Sequence, residues 1–329
     1  MLYRLLSLGV LLSLLVSAAP LMAQNDDCED GFFLFEHAFG ETCIPEEPER
    51  IVTTSDQNGL LPLLELGVRP VGSAGRLLDD DTTQFRRVDE YDTEGIVGVG
   101  DFLSPNLEAI LELDPDLIVG YEFFSDEIYD ELSEIAPTVL IQVFGRPLDE
   151  VLLDFAAVVG ETEAAEELAA DYEARVDTLL TDLGERADNL TISVLTSADN
   201  AGEFWDGADG QALGTVMADL ALNRPDPEES EEAQDAPWSI ETLSEHDADV
   251  MLIIDFSGEL NDPVVQEFVD SPLFGTLGVA QAEQVYIIDG TQTVGTSWGK
   301  MNTFLAELET ILLDPELDVD VVEEPESDE

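Results

Sequence analysis

Two stretches of this chain repeat one another and indicate its fold. Residues 106–119 read Asn-Leu-Glu-Ala-Ile-Leu-Glu-Leu-Asp-Pro-Asp-Leu-Ile-Val, and residues 239–252 read Ser-Ile-Glu-Thr-Leu-Ser-Glu-His-Asp-Ala-Asp-Val-Met-Leu. Each copy has a helix-capping residue, a short amphipathic helix, an Asp-x-Asp turn and an apolar strand. The repeat predicts two similar α/β lobes, one built around each copy.

A long helical segment separates the two copies. Apolar residues follow helical spacing from Leu148 to Val159, and a second run continues after Gly160 from Thr162, a capping residue, to about residue 186. About 25 helical residues span about 37 Å, the length of a strut between lobes. We therefore predict an α/β fold of two Rossmann-like lobes with parallel sheets, joined by one long rigid α-helix.

The remaining segments follow from composition. Arg4 precedes a short apolar run that ends in small residues at Ala23, and this run is too short to span a bilayer. The predicted segments are a signal peptide at 1–23, an N-terminal α/β lobe with a disulfide-tied hairpin at 24–146, the bridging helix at 147–187, a C-terminal α/β lobe at 188–313 and a disordered acidic tail at 314–329.

The residues after the signal peptide suggest a compartment. Gln24 follows Ala23 where a lipidation signal would have cysteine, so we expect a free protein of the periplasm. The two cysteines of the chain, Cys28 and Cys43, are expected to pair in that oxidising environment. In the chain-entropy view, closing a loop of about 15 residues stabilises the fold by about 3 kcal/mol.

The charge of the chain is extreme. Asp and Glu number 75 against 11 Lys and Arg, a net charge of −64. Nucleic acids and anionic membranes are poor partners for such a surface. We interpret the acidity as adaptation to a salty, halophilic habitat, where screening makes dense like charge tolerable.

The chain resembles the periplasmic solute-binding proteins of ABC importers that carry ferric siderophores, haem and cobalamin. The residues that carry the resemblance are Pro48–Val52, Leu64–Gly72, Asn106–Glu108, Pro115–Ile118 and the bridging helix. The resemblance implies a ligand cleft between two lobes that move little. It also implies delivery of an iron(III)-siderophore complex, by a monomer, to a permease with its cytoplasmic ATPase.

The resemblance further suggests a role for one glutamate in each lobe. Glu108 and Glu241 match the family positions that dock onto arginines of the permease. Two charge-assisted pairs would set the cleft over the pore. The alternative is that each glutamate merely favours its helix dipole, which explains one glutamate better than a matched pair.

Candidate ligand-binding residues lie in loops expected at the carboxyl ends of strands. Aromatic side chains suit the flat organic faces of chelates, and arginine suits their negative charge; Tyr121 matches a ligand aromatic of the family. Arg86 or Arg87 is a further candidate, and ordinary packing is the alternative for each aromatic residue. The candidates are Arg76, Phe102, Tyr121, Trp205 and Trp298.

Other functions remain as alternatives. Cobalamin or haem is the first, and the second is an exported α/β hydrolase or lyase using carboxylates. Gly295–Gly299 matches G-x-S-x-G, but no histidine follows it, so we expect no catalytic elbow and no enzyme. Two distant histidines argue against a metal site, and no cofactor is expected beyond iron within a bound chelate.

Overall fold

The computed structural model describes residues 28–125, 128–200, 202–208, 211–230, 233, 236–314 and 317. The predicted signal peptide, residues 24–27 and most of the predicted acidic tail lie outside the described residues. Within the described part, no helix is long and apolar enough to cross a membrane.

A disulfide-tied hairpin precedes the first lobe. Strand β1 (Phe32–His37) pairs antiparallel with β2 (Gly40–Pro45). Cys28 and Cys43 are bonded with their Cα atoms 5.7 Å apart, which confirms the predicted pair. The hairpin packs against the strand Thr138–Ile141 at one side of the N-terminal sheet. The disulfide therefore closes the hairpin segment on itself, and packing against this strand holds the hairpin to the lobe.

Replacing both cysteines, as Cys28→Ser with Cys43→Ser, should destabilise this hairpin by about 3 kcal/mol, because the unfolded loop regains its freedom. Amide exchange across β1 and β2 should accelerate, and urea unfolding should begin at lower denaturant. The oxidised parent protein treated with reductant should reproduce the double variant. Identical exchange in the variant and the oxidised parent would show that packing alone holds the hairpin.

The N-terminal lobe is built on a mostly parallel sheet with the strand order β7-β6-β4-β3-β8-β9, and β5 pairs with β4. All five residues of β8 are buried, as expected where helices cover both faces of a parallel sheet. The order of the strands reverses between β3 and β8, and such a reversal marks the crevice where α/β sheets bind ligands. The elements are β3 (Ile51–Thr53), α1 (Leu61–Glu65), β4 (Gly72–Leu77), β5 (Thr83–Gln84), β6 (Val97–Asp101), β7 (Ser104–Pro105), α2 (Leu107–Glu112), β8 (Leu117–Tyr121), α3 (Glu122–Ser125), α4 (Tyr129–Ser133) and β9 (Thr138–Ile141).

The bridge between lobes is two helices in series. Helix α5 (Leu148–Val159) ends at Gly160, whose φ of +78° is the left-handed conformation that glycine adopts easily. Helix α6 (Thr162–Leu183) follows, and 22 residues make it about 33 Å long. The predicted strut is therefore present but broken at Gly160. Glu161 occupies the N-cap position without a side-chain hydrogen bond, so the expectation that Thr162 caps the helix is wrong.

The C-terminal lobe contains a five-stranded sheet of order β12-β11-β10-β13-β14. Strands β10, β13 and β14 are parallel, and the order reverses between β10 and β13. The elements are β10 (Ile192–Ser197), β11 (Glu203–Asp206), α7 (Gln211–Leu220), β12 (Trp238–Ser239), a 3₁₀ helix (Ile240–His246), β13 (Val250–Asp255), α8 (Pro263–Val269), α9 (Gly278–Gln281), β14 (Val285–Asp289) and α10 (Trp298–Leu312).

One apolar core continues from lobe to lobe through the bridge. Val119 of the N-terminal sheet, Phe155 and Val176 of the bridging helices, and Val194 of the C-terminal sheet belong to a single buried cluster. Helix α6 also packs against α7 and α10. Separating the lobes would expose this shared surface, which opposes large hinge motion. The two-lobed α/β fold is thus confirmed, whereas its division into the five predicted segments stays a prediction.

The repeated Asp-x-Asp turns have matching structural roles. Asp116 accepts hydrogen bonds from the amides of Glu49 and Arg50, at 2.8 and 2.9 Å, just before β3. Asp249 accepts one from the amide of Thr191, at 2.8 Å, just before β10. Each carboxylate ties the start of its own strand to the start of the neighbouring strand. The internal repeat in the sequence is therefore a repeat in structure.

Some local predictions need correction. The acidic composition of residues 225–236 favours an exposed loop, but Glu228 in this segment is buried, accepts a hydrogen bond from Ser193 at 2.6 Å and pairs with Arg224. Leu317 was assigned to the disordered tail, but it is buried in the core. In each case tertiary contacts override a composition-based expectation.

Candidate functional site

The two lobes meet through the loops that follow their strands. The turn after β3 contacts the segment after β14: the amide of Thr296 donates to the carbonyl of Gln57 at 3.1 Å, and its hydroxyl donates to Asn58 Oδ1 at 3.0 Å. Gln211, at the start of α7, also donates to Asn58 Oδ1, at 3.2 Å. The carboxyl edges of the two sheets therefore face each other, and the space between them is the candidate cleft.

A buried carboxylate from one lobe caps a helix of the other. Glu65, the last residue of α1, accepts hydrogen bonds from Ser297 Oγ at 3.0 Å and from the amides of Trp298 and Gly299 at 2.9 and 2.6 Å. Burial raises the pKa of Glu65, and the hydrogen bonds and the charge of Lys300 act in the opposite direction. The Glu65 carboxylate thus accepts hydrogen bonds from the first backbone amides of α10, which have no partner within the helix.

Replacing this cap by Glu65→Ala should lower stability by about 2 to 3 kcal/mol, because buried donors lose their acceptor. The urea unfolding midpoint measures this loss. Glu112→Ala removes an exposed glutamate of the same lobe and should change the midpoint little. Equal midpoints for the two variants would show that water replaces Glu65 at no cost.

One arginine of the N-terminal lobe, Arg86, is fixed by an ion pair within the protein. Asp56, fully buried after β3, makes a bidentate pair with Arg86, with Nε and Nη2 at 2.9 and 2.7 Å from its oxygens. The guanidinium of Arg86 also lies over the ring of Phe102, 4.0 Å from its centroid. Since the guanidinium is already neutralised, Arg86 serves mainly to position Phe102.

Two other arginines of the N-terminal lobe behave differently. Arg76, at the end of β4, is exposed, and Arg87 follows directly after Arg86. The side chain of neither makes a hydrogen bond or ion pair with any residue that the structure describes. Arg87 Nε is buried without a partner among these residues, and the backbone there has φ +63°, unusual for a residue other than glycine. Arg76 and Arg87 are therefore the arginines whose charge no described residue neutralises.

Aromatic side chains complete this wall, although not the tyrosine that was predicted. Tyr121 is 3% exposed, and burial raises its pKa to about 12. Its side chain offers almost no surface to a ligand, so its assignment to the cleft is corrected to the core. Phe123 and Phe144 are exposed instead, 60% and 44%, with their ring centroids 5.8 Å apart. Phe123 lies two residues after the end of β8, and Phe144 lies three residues after the end of β9.

The C-terminal wall contains a cavity of about 600 Å³ where the strand order reverses. The ends of β10 and β13 form its floor, and Trp205 and Phe256 supply aromatic surface. Trp205 is half-buried and Phe256 is 49% exposed. The predicted Trp205 thus lies in a concave site at the expected edge of the sheet.

The other predicted tryptophan is not in the cleft. Trp298 is fully buried at the first turn of α10 and belongs to the shared core. The prediction that it contacts ligand is therefore corrected in favour of packing. Its neighbour Ser297 caps α10 by accepting from the amide of Lys300 at 3.2 Å, and its hydroxyl donates to Glu65. Ser297 has no histidine partner among the described contacts, so the G-x-S-x-G match is a capping motif.

The two predicted docking glutamates occupy matched positions. Asn106 accepts hydrogen bonds from the amides of Glu108 and Ala109, both at 3.1 Å, and Ser239 accepts from the amide of Glu241 at 3.3 Å. Both glutamates are exposed in the first turn of their helices. Their helices begin towards the carboxyl edge of each sheet, so both side chains flank the cleft.

Sequence reasoning missed Phe144 and Phe256 and did not separate Arg87 from Arg86. The signal for the two phenylalanines was present, because each lies within three residues of the end of a buried strand. No sequence pattern distinguishes the paired arginine from the free one. In the part of the chain that the structure describes, no group of three or more His, Cys, Asp or Glu side chains is arranged to hold a metal ion.

Two α/β lobes on a shared bridge, with a cleft between facing carboxyl edges, define a solute-binding protein of limited hinge motion. The periplasmic binding protein family matches residues 51–291, and the chain belongs to that family. This confirms the resemblance found in the sequence.

Several relatives are similar over most of their length. The probable siderophore-binding lipoprotein YfiY of Bacillus subtilis is 28% identical over 84% of this chain and 87% of its own. The iron(3+)-hydroxamate-binding protein YxeB of the same organism is 25% identical over 85% of this chain and 87% of its own. The structure of SirA of Staphylococcus aureus with staphyloferrin B has a TM-score of 0.70 at 25% identity, covering 85% of this chain and 98% of SirA.

Proposed function

We propose that this protein is the extracytoplasmic solute-binding component of an ABC importer and captures an anionic iron(III)-siderophore complex in its cleft. The observation that carries the proposal is the pair of unpartnered arginines, Arg76 and Arg87. In a chain with 75 acidic residues, every other described arginine has a hydrogen-bond partner. Two cations left without one at a cleft wall favour an anionic ligand.

The aromatic residues suit the organic part of the same ligand. Phe123 and Phe144 of the N-terminal lobe, and Trp205 and Phe256 of the C-terminal lobe, offer flat apolar surface. The proteins named for siderophore or ferric hydroxamate binding among the relatives support this class. The iron then enters only within its chelate, and we propose no resident cofactor.

Cobalamin and haem fit these walls less well. Cobalamin is neutral enough to need no arginine. A haem iron would need an axial side chain, and the candidate Tyr121 is buried. His37 lies in the hairpin, hydrogen-bonded with Thr42, and His246 is buried against Glu228. These placements leave ferric siderophore as the better-supported ligand.

Delivery to a permease would complete the function. Exposed Glu108 and Glu241 on either side of the cleft would place the ligand over the pore, with ATP hydrolysed by a separate cytoplasmic subunit. We propose that the protein acts as a monomer outside the cytoplasmic membrane, binds no nucleic acid and returns its ligand chemically unchanged. Free diffusion in the periplasm stays a prediction from Gln24, since relatives are named lipoproteins.

Titration of tryptophan fluorescence at high salt tests the proposal. The panel is ferric hydroxamate, ferric catecholate, ferric citrate, haem and cobalamin. We expect saturable quenching by one ferric chelate, recovery of that chelate unchanged, and loss of most quenching in Trp205→Phe, with buried Trp298 as an internal reference. Preferential binding of cobalamin or haem would contradict the proposed ferric siderophore ligand. Chemical turnover of the ligand would indicate an enzyme instead of a binding protein.

A further inference from the structure

The N-terminal sheet ends at a strand edge that the hairpin covers. Strand β9 is the last in the strand order of this sheet. The amide of Ile118 in β8 donates to the carbonyl of Pro137 at 2.9 Å, and successive residues of a parallel strand direct their backbone groups to alternate sides. The backbone of Leu140 therefore faces away from β8, towards the hairpin. Edge groups of this kind pair readily with other chains unless something covers them.

A histidine side chain takes the place of a strand at this edge. The amide of Ala38 donates to the carbonyl of Leu140 at 3.1 Å, and the amide of Leu140 donates to His37 Nδ1 at 3.4 Å. The amide of Phe39 donates to the same nitrogen at 3.3 Å. His37 Nδ1 thus occupies the position that a carbonyl oxygen has in a ladder of β-strands.

These two amides assign the protonation state of His37. A backbone N–H can only donate, so Nδ1 accepts from both amides and carries no hydrogen. The single ring hydrogen is then on Nε2, which donates to Thr42 Oγ1 at 2.9 Å and lies 3.4 Å from the Tyr129 hydroxyl oxygen. A second proton, on Nδ1, would point at two N–H groups. Protonation therefore breaks the hydrogen bond between His37 and Leu140.

The surroundings of the ring do not favour a positive charge. Burial lowers the pKa of His37 below its ordinary value of 6.5. The two side-chain groups that face the ring are the hydroxyls of Thr42 and Tyr129. The nearby carboxylates are exposed, and none of those in the described part of the chain forms an ion pair with the ring; on the hairpin and α4 they are Glu36, Glu41, Asp130 and Glu131.

Only the tip of the hairpin, residues 37–40, depends on this contact. The base is anchored independently, because Ile44 is fully buried in the core that the two lobes share. At the tip, the ring of Phe39 stacks on that of Tyr129 with centroids 5.3 Å apart, but Phe39 remains 43% exposed. Loss of the bond between His37 and Leu140 would therefore open the tip and leave the base in place.

We propose that the protonation state of His37 controls whether the hairpin tip covers the edge of β9. The neutral ring holds the tip closed, whereas the protonated ring releases it and exposes the backbone of Leu140. This inference is independent of the ligand proposed for the cleft.

The direction of the pH dependence follows from proton linkage. Because the closed tip binds the proton more weakly than the open tip, lower pH favours opening. Closure is complete above the ordinary pKa of 6.5 and is lost as the pH falls from there through the lowered pKa of His37. Within that window one proton changes the opening equilibrium by up to about tenfold per pH unit.

Amide hydrogen exchange of the mature chain, measured from about pH 8 to about pH 5 at high salt, tests the proposal. Each rate is divided into the intrinsic rate at the same pH to give a protection factor. We expect the protection of Leu140 to fall by up to about tenfold per pH unit below about pH 6.5, and that of Val139, which faces β8, to stay constant. An NMR titration of the His37 ring should show a midpoint below its ordinary pKa. Protection of Leu140 that does not change with pH would overturn the proposal.

Two variants separate titration of the ring from packing. His37→Asn keeps an acceptor, because its Oδ1 can replace Nδ1 at every pH, so the protection of Leu140 should no longer depend on pH. His37→Ala removes the acceptor and should leave Leu140 poorly protected throughout. A pH dependence that survives in His37→Asn would assign the effect to another group, such as His246, the other histidine of the chain. That result, or full protection in His37→Ala, would overturn the proposal.

Discussion

A chain carrying both Glu108→Ala and Glu241→Ala should bind its ferric chelate with unchanged affinity and yet fail to support uptake. Both side chains are exposed, and neither contributes to the apolar core or to the capping bonds made by Asn106 and Ser239. Each charge-assisted pair with a permease arginine stabilises the complex by about 1.5 to 3 kcal/mol. Losing both pairs should weaken docking at least about 100-fold.

The control for docking lies on the same two helices. Glu112→Ala with Glu245→Ala removes two exposed glutamates from the opposite helix ends, so the net charge changes equally. Uptake of labelled ferric chelate should collapse for the Glu108/Glu241 variant and persist for this control, with fluorescence titration giving the same affinity for both. A loss of ligand affinity in the first variant, or uptake lost equally in both, would remove the docking assignment.

The second large effect is expected at the cleft wall. Arg76→Gln and Arg87→Gln should each weaken binding of an anionic ferric chelate about tenfold or more, because a hydrogen bond to a charged group contributes about 1.5 to 3 kcal/mol. This loss of affinity should remain at about 1 M salt, where the screening length falls to about 3 Å but direct contacts between charged groups persist. The double variant should lose most of the preference for anionic over neutral chelates.

Arg69→Gln is the matched control for both substitutions. Arg69 precedes β4 at the amino edge and is bonded to the carbonyl of Asp92, far along the strand from Arg76. The Arg69→Gln substitution removes the same charge as the other two but should leave the affinity for the chelate unchanged. Equal weakening in all three variants would indicate a general effect of net charge. Unchanged binding by the Arg76 and Arg87 variants would contradict the proposal that the ligand is anionic.

Much of the fold could be predicted because its signals are local. The repeated capping residue, short helix and Asp-x-Asp turn each act within about 15 residues, and the structure uses both copies in the same way. Helix α8, Pro263–Val269, has local signals of the same kind, namely a capping aspartate, a proline in the first turn and helical spacing. The disulfide could be predicted from the presence of two cysteines in a chain expected in an oxidising compartment.

The site was predicted less well, since aromatic residues after strands serve both binding and packing. Trp298 and Tyr121 satisfied the pattern but lie in the core, whereas Phe144 and Phe256 satisfied it equally and are exposed. The composition of strand β4, Gly72–Leu77, does not predict a strand, because the segment contains two glycines and an arginine rather than a run of β-branched residues. Its position became clear only from its pairing with β3 and β6.

The amino-acid sequence by itself determined two α/β lobes, the bridge between them, the disulfide and the matched glutamates, because each depends on spacing within a short stretch of chain. Only the tertiary structure decided which arginines are free, since Arg86 and Arg87 are neighbours in sequence. Asp56, thirty residues earlier, reaches Arg86 alone. A charge is available to a ligand when no other part of the folded chain has neutralised it, and that depends on contacts between distant residues.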